Sequence, residues 1–308
     1  MRVAVVVLSW NGREDTLACL RSLESVLYRP LDVVVLDNGS TDGTADAVVV
    51  EHPRATVVRN ERNLGFAGGM NTGIGVALDR GADAVLTLNN DMVVEPDFVG
   101  PLVTALASER RVGAACAQIL FADDPPRVWY AGARYDPRRG YQGRQIGYGG
   151  PPRAPAAPYE TDRACAGAML VPRPVLEVVG LFDESLFAYA EDTDWSLRAH
   201  AAGYRLLVVP ASVVRHRVSA SSGGESSPAT LYYDLRNGIV VAERHAPLGL
   251  IGTLRRRAVS VAAHALQALL STRRRAGLRA VLEAHRDVRA RRLGERVERS
   301  ARREEPAP

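Results

Sequence analysis

The stretch Val33-Val34-Val35-Leu36-Asp37-Asn38-Gly39-Ser40-Thr41-Asp42-Gly43-Thr44 runs an apolar, β-branched segment into a polar turn. Carboxylates, amides and glycines just past a buried strand mark the ligand-binding edge of an open α/β sheet. There Asp37 can accept a hydrogen from a nucleobase or a ribose hydroxyl, while Ser40, Thr41 or Asp42 suits capping of the next helix. Working outward, strands are expected at residues 3–8, 32–36, 56–59 and 84–88, with helices at 15–27, 41–50 and 67–80. Leu17, Leu20, Leu23 and Leu27 recur at helical spacing as a core-facing stripe, and Gly81 is placed to end the third helix. This alternation predicts βαβ units and a mostly parallel sheet.

At 308 residues the chain has room for two domains or for one large α/β unit with appendages. Its 46% hydrophobic and 24% charged residues exclude wholesale disorder and coiled coil. The glycines and prolines follow no fixed period, which argues against a solenoid. Lysine is absent, so every basic residue is arginine, and arginine abundance alone is no sign of phosphate binding. The net charge of +4 is unevenly spread: 15 Arg face 6 Asp/Glu from Leu250 onward, a local +9, leaving the body mildly acidic. Cys19, Cys116 and Cys165 form no C-x-x-C, so neither a disulfide framework nor a structural zinc site is expected. The apolar run at 3–8 is too short for a signal-peptide core. The longest weakly polar stretch, 258–271, falls short of the roughly 20 residues a spanning helix needs. A cytoplasmic protein without a transmembrane segment is the expectation.

Four further segments carry chemistry. Asn60-Glu61-Arg62-Asn63-Leu64-Gly65-Phe66-Ala67-Gly68-Gly69-Met70-Asn71-Thr72-Gly73 packs glycines at the mouth of a helix, where bare backbone can approach a phosphate or sugar. It matches neither G-x-G-x-x-G nor the P-loop, so nicotinamide enzymes and P-loop NTPases lose support. Leu88-Asn89-Asn90-Asp91 follows the fourth strand and can present one carboxylate to a divalent cation bridging a diphosphate; the alternative is a simple Asx turn. Glu191-Asp192-Thr193-Asp194-Trp195 falls at a helix start, where carboxylates either cap the helix or serve as a general base. A strand at 204–209 is followed by Arg215-His216-Arg217, whose histidine can ligate metal or contact phosphate. Residues 121–163, with Trp129, Tyr130, Tyr135, Tyr141 and Tyr148, read either as irregular strands lining a pocket or as a surface excursion.

Together these motifs resemble the family-2 inverting glycosyltransferases of GT-A fold, in the rhamnosyltransferase-like and galactofuranosyltransferase-like branch. The resemblance spans residues 3–237 and rests on the order of Ser9-Trp10-Asn11-Gly12, Asp37-Asn38-Gly39-Ser40, Asn63-x-Gly65-Phe66-Ala67-Gly68-Gly69-x-Asn71, Leu88-Asn89-Asn90-Asp91, Gly180-x-Phe182-Asp183, Glu191-Asp192-x-Asp194-Trp195, His216 and Tyr232-Tyr233-x-x-Arg236-Asn237. It implies a nucleoside-diphosphate sugar donor (dTDP- or UDP-linked), Mg²⁺ or Mn²⁺, and an acceptor that is a glycan, a lipid-linked glycan or a small molecule. The biosynthesis of cell-envelope polysaccharide or of secondary metabolites is the implied setting. Carried over, Asp192 is the general base with Glu191 beside it, and Asp91 is the metal-binding end of the D-x-D element, helped by His216. Asn89 stands where that element has its first carboxylate, so metal binding is expected to be weak. Ser9, Asn11, Asp37, Asn38, Asn63, Gly65, Gly69, Asn71, Asn89 and Asn90 line the donor. Trp195 walls the acceptor, and Arg236 holds a phosphate or the acceptor.

The implied organisation is an α/β GT-A catalytic domain at 1–230, with a nucleotide-binding half at 1–120 and an acceptor half at 121–230. A basic helical C-terminal extension follows at 231–300, and a frayed tail at 301–308. In the extension, Leu250, Leu254, Val261, Ala265 and Ala268 could line one helix face beside Arg255–Arg257 and Arg273–Arg275, for packing on the body or for peripheral membrane contact. A nucleotidyltransferase and a non-catalytic nucleotide- or nucleic-acid-binding protein remain open alternatives. A nucleic-acid partner is not the expectation, because it leaves the acidic cluster at 191–194 unexplained.

Overall fold

The computed structural model describes residues 1–136, 144–153, 157–217 and 227–296. Its first half alternates strands and helices: β1 (Val3–Ser9), α1 (Arg13–Glu24), β2 (Leu31–Asp37), α2 (Thr44–Glu51), β3 (Thr56–Arg59), α3 (Gly65–Asp79) and β4 (Ala84–Asn89). There follow β5 (Met92–Val94), α4 (Val99–Ser108), β6 (Val112–Phe121), β7 (Val128–Tyr130), β8 (Ala133–Arg134), β9 (Arg144–Gln145), β10 (Tyr159–Thr161), β11 (Ala168–Pro172), α5 (Arg173–Val179), α6 (Glu191–Ala201) and β12 (Arg205–His216). Helices α7 (Pro228–His245), α8 (Leu250–Leu270) and α9 (Arg274–Arg289) form the C-terminal part.

One large sheet has the order β10-β12-β6-β11-β4-β1-β2-β3, with β5 on β12 and β7 on β6. The β4-β1-β2-β3 part is parallel, as the βαβ pattern requires. Strand β11 enters antiparallel between β4 and β6, and β12 runs parallel to β6. The register pairs Ser9 with Asp37 and Leu8 with Asn89, so the carboxyl ends of β1, β2 and β4 share one edge. Both faces are covered: Val3–Val7 are wholly buried, as in parallel sheets generally.

Local expectations differ from the structure where a neighbour decides. Leu17, Leu20 and Leu23 are buried, but α1 ends at Glu24, and Leu27 lies beyond it, 73% exposed. Ser40 and Thr41 do not cap α2: its N-cap is Gly43, and Asp42 alone reaches the helix, accepting from Thr44 N at 3.1 Å. Helix α3 ends where expected, with Gly81 at φ 85°. The aromatic stretch supplies β7 to β10 and their loops, while Tyr141 and residues 301–308 lie outside the described residues.

The C-terminal helices have a core of their own, in which Leu231, Tyr232, Leu235 and Ile239 of α7 meet Val281 and Val288 of α9. Ala268 is buried there, with Val261 and Ala265 packed against it, yet Leu250 and Leu254 of α8 point away into solvent. The stripe drawn from the sequence thus divides between two faces. Among the described residues no helix is long and apolar enough to cross a membrane.

Candidate active site

The donor edge begins with Asp37, whose Oδ1 accepts from Ser40 N at 2.8 Å, while Oδ2 has no partner among the described residues. The side chain is 5% exposed and can still accept from a ligand. Asn11, at φ 49°, bridges to the same turn: its N–H donates to Ser40 Oγ and its Oδ1 accepts from Thr41 N at 2.8 Å.

Other residues expected on the donor serve the walls instead. Ser9 Oγ is wholly buried and bonded to Thr16 Oγ1 at 2.7 Å, and Asn90 Nδ2 donates to the same Thr16 oxygen at 3.0 Å. Asn38 is engaged at both ends of its amide, donating to Asn63 Oδ1 and Gly65 O and accepting from Asn60 Nδ2 and Leu64 N. Asn63 Oδ1 also accepts from Gly65 N at 2.7 Å. Asn71 reaches 111 residues along the chain to clamp the amide and carbonyl of Phe182.

The glycines, too, have a packing reason. Gly65 has φ 75°, and a Cβ there would run into Phe187. At Gly69 one would stand 2.7 Å from Leu8 Cδ1, so this side of α3 lies directly on β1. The Phe187 carbonyl accepts from Ala67 N at 3.0 Å and covers the mouth of the helix that the sequence reading left open for a phosphate.

A second cluster forms where β5 pairs with β12. Asp91, just before β5, places Oδ2 3.0 Å from Nε2 of His216, 125 residues away at the end of β12. Both side chains are about nine-tenths buried, and the Trp129 ring stands edge-on to the imidazole at 4.6 Å. Asp91 is therefore no exposed turn residue. His216 Nδ1 and Asn89 Oδ1 are buried without a hydrogen-bond partner among the described residues. A carboxylate, an imidazole and an amide oxygen suit Mg²⁺ or Mn²⁺. No group of three or more His, Cys, Asp or Glu that could hold a metal occurs among the described residues, so a cation here would need further oxygen ligands from water or a bound diphosphate.

The third cluster is the start of α6, where Ala190 precedes the helix in the left-handed region and Glu191, Asp192 and Asp194 fill the first turn. The helix dipole favours these anions. Burial, and next to it the Asp192 charge, pushes the Glu191 carboxyl up to about 8. Arg163, which the sequence reading did not single out, lies with Nε 3.9 Å from Asp192 Oδ2 and over the Tyr130 ring. Burial works to lower the Arg163 pKa, but Asp192 and its other neighbours outweigh it and the guanidinium stays charged. Its signal in sequence was faint, a single arginine among many ahead of Ala164-Cys165. Residues 163–167 join the clusters, since Ala164 N donates to Ser196 Oγ in α6 and Gly167 O accepts from Asn89 N at 3.1 Å. Asp194 is committed elsewhere, to Arg198, Arg244 and His245, and against the effect of burial its carboxyl is pulled down by His245 and Arg198.

Two expected acceptor residues are core residues. Trp195 is 1% exposed, its Nε1 donating to Gly180 O at 2.9 Å, and it lines an interior cavity with Ile74, Thr87, Met169 and Phe182. Arg236 is equally buried and is satisfied by Asn237 Oδ1, Leu186 O and Gly294 O. Neither can touch a ligand in this arrangement. Arg236 and Asn237 instead hold the loop before Asp192, with Asn237 Nδ2 donating to the carbonyls of Leu186, Ala188 and Tyr189 at 2.7–2.8 Å. That loop contains Phe187, Tyr189 and Ala190 at φ 66–67°.

The raised carboxyl of Glu191 sets a pH dependence. The folded state holds this proton more tightly than the unfolded chain, so its stabilising effect is complete below the ordinary carboxylate range and is lost as pH rises through about 8. Melting temperature should fall across that window, and Glu191→Gln should flatten the fall. An equal slope in the variant would assign the titration to another group.

This fold and this edge match the GT-A architecture, and family membership makes the protein a glycosyltransferase that draws its sugar from a nucleotide donor. The chain belongs to the family described as Glycosyl transferase family 2, matched over residues 4–177. It is 29% identical over 262 residues to the N-acetylglucosaminyl-diphospho-decaprenol L-rhamnosyltransferase of Mycobacterium tuberculosis, covering 79% of this chain and 84% of that protein. To the dTDP-rhamnosyl transferase RfbF of Shigella flexneri it is 25% identical, covering 80% and 82%. Among solved structures, GalNAc-T7 with UDP, GalNAc and Mn²⁺ superimposes with a TM-score of 0.62 at 19% identity, over 79% of this chain and 48% of that one. The Pyrobaculum calidifontis mannosyltransferase PcManGT, with GDP-Man and Mn²⁺, gives 0.56 at 20% identity, over 94% and 86%. These likenesses favour neither a nucleotidyltransferase nor a non-catalytic binding protein.

Proposed function

We propose that the protein transfers rhamnose or a similar hexose, with inversion and with a divalent metal, from a dTDP- or UDP-sugar to a hydroxyl of a cell-envelope glycan, lipid-linked in the first instance. The rhamnosyltransferase relatives support the sugar, and the decaprenol-linked substrate in the name of the mycobacterial relative supports the acceptor. The observation that carries the reading is the Asp91–His216 pair at the edge that also bears Asp37.

In this mechanism Asp37 accepts from the nucleoside. Asp91 and His216 would hold Mg²⁺ or Mn²⁺, whose positive charge would offset the negative charge of the donor diphosphate. Asp192 takes the proton of the incoming hydroxyl on the opposite face of the sugar, so the anomeric configuration inverts without a covalent intermediate. Arg163 steadies the carboxylate of Asp192, and the half-buried loop before it keeps that carboxylate in place. The setting is the cytoplasm, at the inner face of the membrane.

Thermal stabilisation by a panel of nucleotide sugars, with and without Mn²⁺, tests the proposal. A bound donor at 100 times its Kd should add roughly 2.7 kcal/mol. Asp91→Ala and His216→Ala should each weaken the metal-dependent part, and the double variant should be little worse than either. Full additivity would speak against a shared ion, and stabilisation by no dTDP- or UDP-sugar would overturn the donor class.

A further inference from the structure

The inward side of α8 carries Arg256, which donates to the carbonyls of Ala242 and Ala246, and His264, which meets Asp234 at 3.1 Å, beside Val261, Ala265 and Ala268 packed on the core of the C-terminal helices. Its outward side is apolar, with Leu250, Ile251, Leu254, Leu266, Leu269 and Leu270 in solvent, and Ile251, the most open of them, is 83% exposed. Small residues at 258 and 262 continue the same exposed face. Monomeric soluble proteins rarely leave a stripe of this length uncovered.

The surrounding charge says what covers it. No Asp or Glu occurs between Glu243 and Glu283, a span that contains eight arginines. On α9, Arg275, Arg279, Arg286 and Arg289 recur at helical spacing along the exposed face. None of these four, nor Arg255 within the apolar stripe, forms an ion pair among the described residues. A second copy seated on α8 would bring these cations against their own like, whereas an anionic surface removes the repulsion. An apolar face with basic flanks is the pattern of a helix lying in a lipid interface.

We infer that α8 and α9 form a membrane-docking hairpin, with α8 sunk into the headgroup boundary of an anionic bilayer and the α9 arginines against its phosphates. The helix rests on the surface and does not span it. Docking of this kind would hold the catalytic domain at the plane in which a lipid-linked acceptor presents its sugar.

The full chain should sediment with phosphatidylglycerol–phosphatidylcholine vesicles at low salt and bind pure phosphatidylcholine weakly. Binding should drop roughly tenfold or more at high salt, because lipid-facing arginines are screened within about a Debye length. Ile251→Ser with Leu270→Ser should reduce binding at low salt by about tenfold or more, since two apolar anchors are lost. Both residues are open to solvent, so circular dichroism and donor-induced stabilisation should stay unchanged. No sedimentation at low salt, or full binding by the double variant, would overturn the inference. A dimer in size-exclusion chromatography that the double variant splits would overturn it in favour of a second copy. Vesicle binding is read without donor or acceptor, so its failure is distinct from a failure of the transferase reading.

Discussion

Asp192→Asn is expected to lower turnover by about 10²–10⁴ while donor affinity stays nearly unchanged, the range for losing a general base. The amide matches the carboxylate in size and can still accept from Thr193 Oγ1, which lies 3.2 Å from Asp192 Oδ1, so the start of α6 should keep its shape. The base cannot simply be replaced from within the cluster. Asp194 is 1% exposed and engaged by two arginines and a histidine, and Glu191 holds its proton up to about pH 8. Single-turnover kinetics with donor saturating would isolate the chemical step. Near-wild-type transfer would remove Asp192 from the mechanism and leave Glu191 as the candidate.

Asn237→Ala should cost both stability and rate, about 2–4 kcal/mol and about 10²-fold. The stability figure follows from taking the buried Asn237 amide away from the carbonyls of Leu186, Ala188 and Tyr189, of which Leu186 O keeps other donors, Arg236 Nη2 and Ala188 N. Three left-handed residues so close together cost of order 1–3 kcal/mol each and persist only while the surroundings hold them. Once released, the loop can relax and carry Glu191 and Asp192 with it, and a misplacement of about 1 Å at a reacting group can cost about 10²-fold. Arg236→Met should behave alike through Leu186 and Gly294. Donor KM separates the two possible roles of this motif. A positioning role lowers kcat and leaves donor KM near wild type, whereas direct phosphate contact would raise KM. Loss of stability with unchanged kcat well below the melting temperature would reduce Asn237 to a purely structural residue.

The class of fold was legible because its signals are local. Runs such as Val34–Leu36 bury on both faces whatever follows them, and a glycine at φ 85° ends α3 without reference to distant chain. Asp37, Asp91 and Asp192 could be picked out for the same reason, since each sits at the end of a strand or the start of a helix, where short-range geometry exposes a carboxylate.

What each polar side chain does with its hydrogen bonds was decided only in three dimensions. Asn71 has the pattern of a donor contact, yet the chain returns Phe182 to it from 111 residues away, and its amide closes a loop instead. Arg236 and Trp195 belong to motifs with functional neighbours, but their packing partners bury both, and an arginine bonded to carbonyls cannot hold a phosphate. Arg163 became visible only when the fold set it beside Asp192. By itself the sequence determined where strands and helices alternate and which carboxylates end them, because those follow from periodicity and turn chemistry. Only the tertiary structure decided which groups face a ligand, which face the core, and that the apolar side of α8 faces outward, because burial depends on partners that sequence distance does not reveal.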